Sequence, residues 1–138
     1  MADRVFADPA IQRYLAGKDV MILAMLTVSG GPLATPMWFV HDEEQLAMVS
    51  VDGLAKVRNL ERDPRVSVVA EGGRRGAIDG VVLTGEVRFL DGDERLDWGR
   101  RFRDKYAPDI ERLWGGPDLP DNRRVFALRP RVASAFGL

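Results

Sequence analysis

The chain of 138 residues contains no cysteine and a single histidine, His41. Without cysteine there is no disulfide framework, no zinc–thiolate site and no redox-active thiol. One histidine with no cysteine beside it cannot assemble the familiar transition-metal sites, so we expect no bound metal. We interpret His41 as a surface residue near a strand end, with a ligand role as the alternative.

Motifs for catalysis by titrating side chains are also missing. No serine lies in a nucleophile-elbow context, and the carboxylates fall mostly in turns and helix caps. The chain has neither the GxGxxG pattern of a Rossmann fold nor a P-loop, since GGRRG at residues 72–76 lacks the Gly-Lys-Ser/Thr ending. A cofactor enzyme survives this elimination, because hydride transfer between a bound ring system and a substrate depends mainly on positioning.

Charge and hydrophobicity exclude two classes of partner. The formal net charge is −1 with acids interspersed among the bases, which argues against an electrostatically driven nucleic-acid binder. No apolar run approaches the ~20 residues of a membrane span, and no signal peptide opens the chain. We therefore expect a cytoplasmic protein that forms one domain over residues 1–138.

The hydrophobic pattern predicts mostly short strands. Asp8 and Pro9 begin a helix over residues 9–16, and three apolar runs separated by turns predict an antiparallel meander over residues 20–51. Six or seven such strands with three peripheral helices close most economically into a small β-barrel. The later elements are strands within residues 65–90 joined by a polar, glycine-rich connection at 71–80, helices within 93–114, and a last strand over 123–136 interrupted by Pro130.

The most informative local motif spans residues 46–69 and consists of two predicted strands with a turn and a short helix between them. The turn Asp52-Gly53 ends the first strand. Leu54, Val57 and Leu60 then recur at helical spacing, so residues 54–62 form a short amphipathic helix that ends before Pro64.

The basic residues of this helix predict an anion site. Lys56 lies in the first turn and Arg58 follows it, although the helix dipole disfavours cations there unless an anion is bound. Free N–H groups, a lysine and an arginine beside a turn glycine are typical of a phosphate site. The alternative is a solvated helix face on which Arg58 and Arg62 pair with Asp52, Glu61 or Asp63.

Three further features have alternative interpretations. Pro36 cannot donate to a strand ladder, so it belongs at a sheet edge or beside a ligand. Gly85, inside a predicted strand, indicates a bulge or a close backbone approach. The stripe of Trp98, Phe102 and Tyr106 is interpreted as core rather than as cofactor contacts.

The segment AKVRNLERDPRVSV (55–68), with TPMWFV (35–40) upstream, resembles the split β-barrel flavin- and deazaflavin-binding oxidoreductases, which include pyridoxamine 5′-phosphate oxidase. The chain is most similar to the actinobacterial branch that uses the deazaflavin coenzyme F420. The opening RVF-D, the GGP turn and the closing RVFALRPRVASAFGL (124–138) also match that branch, so the resemblance covers nearly the whole chain.

This resemblance implies a mainly β fold, the FMN-binding split barrel, and a homodimer with two cofactor sites at the subunit interface. Many relatives carry a further basic residue where this chain has Leu54, and Arg62, Arg74 or Arg75 would supply the charge for an anionic glutamyl tail. In such proteins the residues matching Lys56 and Arg58 hold the phosphate, and those matching Ser50 and Val51 line the preceding strand. The ring system lies against the residues matching Thr35, Pro36, Met37 and Trp38. The pocket is closed by the partner's Ala135, Phe136 and Gly137.

The function that follows is hydride transfer from reduced F420 to a small electron-poor substrate such as a quinone, an enone or a nitro compound. An FMN-dependent oxidase or reductase on the same barrel is the alternative cofactor assignment. The alternative outside enzymes is a protein that binds a flavin, a deazaflavin, or haem through His41, without turnover. No side chain stands out as a proton donor.

Overall fold

The structure is a computed structural model that describes residues 2–138. Within that range it contains four helices, α1 (Pro9–Ala16), α2 (Ala55–Arg62), α3 (Gly92–Tyr106) and α4 (Asp109–Trp114). The strands are β1 (Ala2–Arg4), β2 (Val20–Leu26), β3 (Pro32–Trp38), β4 (Val40–His41), β5 (Leu46–Val51), β6 (Arg65–Arg74), β7 (Ala77–Leu90), β8 (Arg123–Leu128) and β9 (Val132–Phe136).

The strands form one antiparallel sheet in the order β3-β2-β6-β7-β8-β5-β4, with β9 paired to β7 and β1 paired to β9. The long strand β7 connects the two parts of this sheet. It pairs with β9 through Gly80–Thr84 and with β8 through Val87–Leu90. The prediction of a mainly β fold with peripheral helices is confirmed.

Gly85 lies where β7 changes partner from β9 to β8. A Cβ atom there would lie 2.9 Å from Leu128 Cδ1 and 3.2 Å from the Arg129 carbonyl oxygen. The close backbone approach predicted for Gly85 is therefore present, and it lets the chain between β8 and β9 cross β7.

The predicted meander over residues 20–51 is wrong in its second half. β3 pairs with β2, but β5 pairs with β4 and β8 rather than with β3. The predicted second strand is interrupted at Phe39, whose backbone N–H donates to the Tyr106 hydroxyl at 2.8 Å and whose carbonyl accepts from Lys105 Nζ at 2.9 Å. Because α3 satisfies both backbone groups of Phe39, the chain leaves β3 there and begins β4 in the other part of the sheet.

Two other predicted boundaries also need correction. The polar connection at 71–80 is a hairpin, because β6 continues to Arg74, β7 begins at Ala77 and only Arg75-Gly76 lies between them. These strand ends lack apolar alternation, which is the signal that predicts strands. The predicted last strand is two strands, β8 and β9, separated by a segment that contains Pro130. The described range therefore contains nine strands, whereas six or seven were expected.

The interior consists of two apolar clusters. The larger lies inside the barrel and includes Phe39, Leu23 and Leu83, each with 0% exposure. The smaller lies beneath α3 and α4 and includes Trp98, Phe102, Tyr106 and Ile110, so the α3 stripe is core as predicted. In the described part of the chain, no helix combines the length and apolar character needed to cross a membrane.

Candidate functional site

A cavity of about 350 Å³ lies where β3, β5, α2 and the α3–α4 pair meet. We call it the α2 cavity. Its volume is at the lower end of the range of about 300–1,000 Å³ typical of small-molecule pockets. It is lined by Pro36, Met37, Trp38, Val49, Ser50, Val51, Leu54, Lys56, Phe102, Ile110, Leu113, Trp114 and Arg123.

Lys56 is the charged residue that the helix start brings into this cavity. α2 begins at Ala55, and its N-cap residue, Leu54, makes no side-chain cap hydrogen bond. The first-turn N–H groups therefore have no side chain capping them. Lys56 is half-buried, and its Nζ lies 3.3 Å from Met37 Sδ. Because a thioether is a weak acceptor, the ammonium group retains donors for a ligand.

The other basic residues of α2 point elsewhere. Arg58 donates from its guanidinium to the Gly53 carbonyl and does not line the cavity. Arg62 donates to the Thr27 carbonyl at 2.6 Å. Both cations are therefore bound to backbone oxygens, and the alternative interpretation, in which they pair with Asp52, Glu61 or Asp63, is wrong.

Those acids are paired with arginines from the following strands. Arg124 lies 3.5 Å from Asp52 and 3.6 Å from Glu61, and Arg65 lies 2.7 Å from Asp63. The hydrogen bonds from Arg65 lower the pKa of Asp63 to about 2. The carboxylates around α2 are thus neutralised by β6 and β8, which leaves Lys56 without a carboxylate partner among the described side chains of residues 4–138.

An aromatic wall forms one side of the α2 cavity. The rings of Trp38 and Tyr106 stack with centroids 4.4 Å apart and planes 2° from parallel. The Tyr106 hydroxyl lies 2.7 Å from the Asp19 carbonyl oxygen and 2.8 Å from that of Phe39, and burial raises its pKa. Tyr106 thereby holds the Trp38 indole in one orientation along the cavity.

The charge of the cavity lining is entirely positive. Arg123 is the second cation, and its guanidinium donates to Asn122 Oδ1 at 2.7 Å and to the Leu113 carbonyl at 3.3 Å. No aspartate or glutamate is among the residues that line the cavity. An apolar wall with two cations and no acid favours a ligand that has a flat apolar part and an anionic part.

The structure brings together many of the predicted site residues and leaves others apart. Thr35 and Arg58 do not line the cavity. Ala135 and Phe136 lie in β9, paired with β7, and Gly137 follows them, so in this single chain they are not part of the lining. Their role in closing a partner's pocket stays a prediction. The predicted residues that do line the cavity are Pro36, Met37, Trp38, Ser50, Val51 and Lys56.

Pro36 has the sheet-edge placement that one interpretation predicts, and its contact with a ligand stays a prediction. It lies in β3, which ends the main strand order and pairs with β2. It also lines the cavity.

The sequence analysis missed the contribution of the C-terminal half. Phe102 was assigned to the core alone, and Trp114 and Arg123 were given no role, although all three line the cavity. The sequence did contain one signal of this contribution, because Leu113 and Trp114 are large apolar residues on a very short helix. In the structure, Leu113 is 64% exposed. Exposed apolar residues beside a cavity are typical of a ligand or partner contact.

Comparison with known proteins extends these observations. The family model described as pyridoxamine 5′-phosphate oxidase matches residues 7–136. None of the curated proteins searched matches the chain.

Several solved structures share the fold. A conserved hypothetical protein, Rv2991 from Mycobacterium tuberculosis, is 24% identical, with a TM-score of 0.80 over 99% of this chain and 88% of its own. A FAD-binding protein from Mesorhizobium loti is 20% identical, with a TM-score of 0.73 over 98% of this chain and 97% of its own. A heme binding protein from Mycobacterium smegmatis is 22% identical, with a TM-score of 0.79 over 99% of this chain and 56% of its own.

The family match covers almost the entire chain, and the structural matches at these identities establish the fold. The two-part antiparallel sheet joined by β7 is the split β-barrel that the resemblance implied. The chain therefore belongs to the pyridoxamine 5′-phosphate oxidase family.

Proposed function

We propose that this protein is an oxidoreductase that binds coenzyme F420 in the α2 cavity and reduces a small electron-poor substrate. The observation that carries the proposal is the lining of the α2 cavity. Lys56 and Arg123 are the only charged residues of that lining, and Trp38 forms a flat wall. A flavin-type coenzyme has the matching chemistry, because it joins a planar ring to a phosphate group.

The residues at the start of α2 fit a phosphate group. A phosphate there would accept from the Lys56 ammonium and from first-turn N–H groups, and it would remove the unfavourable interaction between Lys56 and the helix dipole. Charge-assisted hydrogen bonds of this kind are about twice as strong as neutral ones. Arg123 supplies a second cation in the cavity lining, and Arg58 lies two residues after Lys56, outside the lining, with a weaker role.

The remaining lining residues fit the ring. The deazaflavin ring, when bound, supplies the hydride carrier. Met37, Trp38 and Pro36 would cover one side of it, and Ile110, Leu113 and Trp114 from α4 would keep water from the other. We propose that the chain acts as a homodimer, in which the partner's Ala135, Phe136 and Gly137 complete the enclosure.

FMN is the alternative cofactor for the same cavity, because it also combines a planar ring with a phosphate. Haem bound through His41 without turnover is the alternative function, and it would occupy a different part of the molecule, since His41 does not line the α2 cavity.

Absorbance and fluorescence separate these assignments. Bound FMN gives a flavin spectrum, bound haem gives a Soret band, and colourless protein is expected if F420 is lost on purification. Titration with F420 and with FMN should then quench tryptophan fluorescence, because Trp38 and Trp114 both line the cavity, whereas Trp98 is on the buried face of α3 and does not.

Turnover is tested by mixing the protein with reduced F420 and a panel of quinones, enones and nitro compounds. We expect oxidation of the coenzyme with at least one acceptor. Tight F420 binding with no oxidation across the panel would contradict the enzyme assignment and favour a binding protein.

A further inference from the structure

A second cavity, of about 380 Å³, lies between the end of α1, strand β4 and the C-terminal half of α3. We call it the His41 cavity. It is lined by Ala16, Val40, His41, Arg101, Asp104 and Lys105, and it shares no lining residue with the α2 cavity.

Hydrogen bonds fix the proton of His41 on one ring nitrogen. Gln12 donates from Nε2 to the Phe6 carbonyl at 3.0 Å, which turns its Oε1 toward His41 Nδ1, also at 3.0 Å. Because Oε1 can only accept, Nδ1 carries the hydrogen in the neutral ring. Nε2 is then the nitrogen with the lone pair.

The surroundings of His41 keep this ring neutral. Burial lowers its pKa, and the charges of Lys105 and Arg101 lower the pKa further. A hydrogen bond to the Asp42 backbone and the charge of the Asp42 carboxylate act in the opposite direction. At neutral pH the imidazole therefore presents an acceptor and no charge to the cavity. The expectation that His41 is a plain surface residue is wrong, because the ring is half-buried and hydrogen-bonded.

Two cations lie beside this acceptor. Lys105 Nζ donates to the Phe39 carbonyl at 2.9 Å and lies 3.9 Å from the centre of the Phe39 ring, which leaves further N–H groups unused. Arg101 stacks on Trp98, with its Cζ atom 4.7 Å from the ring centre. Among the side chains described for residues 4–138, no carboxylate lies within ion-pair distance of either cation, although the Asp19 charge acts on Lys105 from farther away.

Asp104 is the one carboxylate of the lining. It is exposed, and it lies 3.9 Å from Arg103 on the same helix. The cavity thus carries one more positive than negative charge when His41 is neutral.

We propose that the His41 cavity binds a small acid that also carries a hydroxyl donor, either hydrogen phosphate or a 2-hydroxycarboxylate. The acid oxygens accept from Lys105 and Arg101, and the ligand hydroxyl donates to His41 Nε2. A simple carboxylate can accept from both cations. Because it has no hydroxyl, however, it places an oxygen lone pair against the lone pair of His41 Nε2, so it binds more weakly. The site needs no cofactor in the α2 cavity and does not rest on the proposed function.

The single histidine makes this proposal directly measurable. His41 is the only histidine in the chain, so its ring signals in a proton NMR spectrum need no assignment by mutation. Phosphate, glycolate and acetate are titrated separately to about 10 mM, which is tenfold above a millimolar Kd. We expect phosphate or glycolate to shift the His41 signals with saturation, and acetate to bind at least about fivefold more weakly because it lacks the hydroxyl.

Arg101→Ala is the main test variant, because Arg101 is exposed and its loss leaves the core intact. We expect it to weaken binding about tenfold, as the loss of a hydrogen bond to a charged group does. Arg100→Ala is the matched control, since it removes the same charge from the same helix, one residue away, at an exposed residue that is outside the lining and pairs with Asp97. Lys105→Met is a second variant and should weaken binding similarly.

Four results would overturn the proposal. The first is an unshifted His41 spectrum with all three acids, and the second is equal weakening by Arg101→Ala and Arg100→Ala, which would indicate bulk charge alone. The third is a Soret band on adding haem that disappears in His41→Gln, which would assign the cavity to haem. Acetate binding as tightly as glycolate would contradict the role given to the hydroxyl.

Discussion

Each of the two cavities is lined by two cations, but the residues around these cations differ. In the α2 cavity, Lys56 and Arg123 face a lining that is otherwise almost wholly apolar, with two tryptophans. In the His41 cavity, Lys105 and Arg101 face a small lining with an imidazole acceptor and an acid. Cations alone therefore indicate an anion, and their neighbours decide which kind: a large planar cofactor with a phosphate, or a small acid with a hydroxyl.

The two cavities are built on one short segment, at residues 38–41. Trp38 lines the α2 cavity, Phe39 packs inside the barrel, and Val40 and His41 line the other cavity. Tyr106 and Lys105, at the end of α3, bind both backbone groups of Phe39. The break that ends β3 is thus what presents successive side chains to two sites.

Among the substitutions that test this comparison, Tyr106→Phe should have the largest effect on the structure, because it affects both cavities. The change removes the hydroxyl that accepts from the buried Phe39 N–H. An unsatisfied buried donor costs about 1–3 kcal/mol, and we expect that loss in the free energy of unfolding, measured by urea denaturation. Ligand affinity should fall at both cavities.

Tyr14→Phe is the control, since its hydroxyl binds Asp79 away from either lining. A Tyr106→Phe variant with wild-type stability and unchanged affinities would show that Phe39 is held by other contacts.

Arg123→Ala and Arg58→Ala distinguish the residues that line the α2 cavity from those that only neighbour it. Arg123 lines the cavity and Arg58 does not. We expect Arg123→Ala to weaken F420 binding about tenfold and Arg58→Ala to weaken it less than about threefold. Fluorescence titration gives both constants. The reverse order would restore the role that the family resemblance gives to Arg58.

The titration of His41 is the smallest expected effect. Its NMR midpoint should lie below the ordinary histidine value of about 6.5, because burial lowers its pKa. The unfolded chain then binds more protons than the folded chain just below pH 6.5, so the free energy of unfolding falls as the pH drops through that window. The His41→Gln variant should lose this part of the pH dependence, and a midpoint above 6.5 would contradict the hydrogen-bonded, buried ring.

Local signals predicted one side of the α2 cavity well. The turn at Asp52-Gly53, the helical spacing after it and Pro64 fix α2, so Lys56 is placed by sequence alone. Pro36 marks the edge strand in the same way. These features depend on residues close together in the chain.

The features that the sequence did not predict depend on distant residues. The pairing of β5 with β8 joins segments about 75 residues apart along the chain, and nothing in either apolar run specifies that partner. Arg123 enters the α2 cavity through this pairing, opposite Val51. The His41 tautomer likewise depends on Gln12 and Phe6, whose contact with β4 is tertiary.

The most direct test of the account is the affinity of Lys56→Ala for F420. The proposed contact between the Lys56 ammonium and the coenzyme phosphate is a hydrogen bond to a charged group, worth about 1.5–3 kcal/mol. We therefore predict that Kd rises about 10- to 150-fold. Lys18→Ala, which removes a lysine outside both cavities, should bind F420 as the wild type does. Wild-type affinity in Lys56→Ala would contradict the anion site at the start of α2 and, with it, the proposed function.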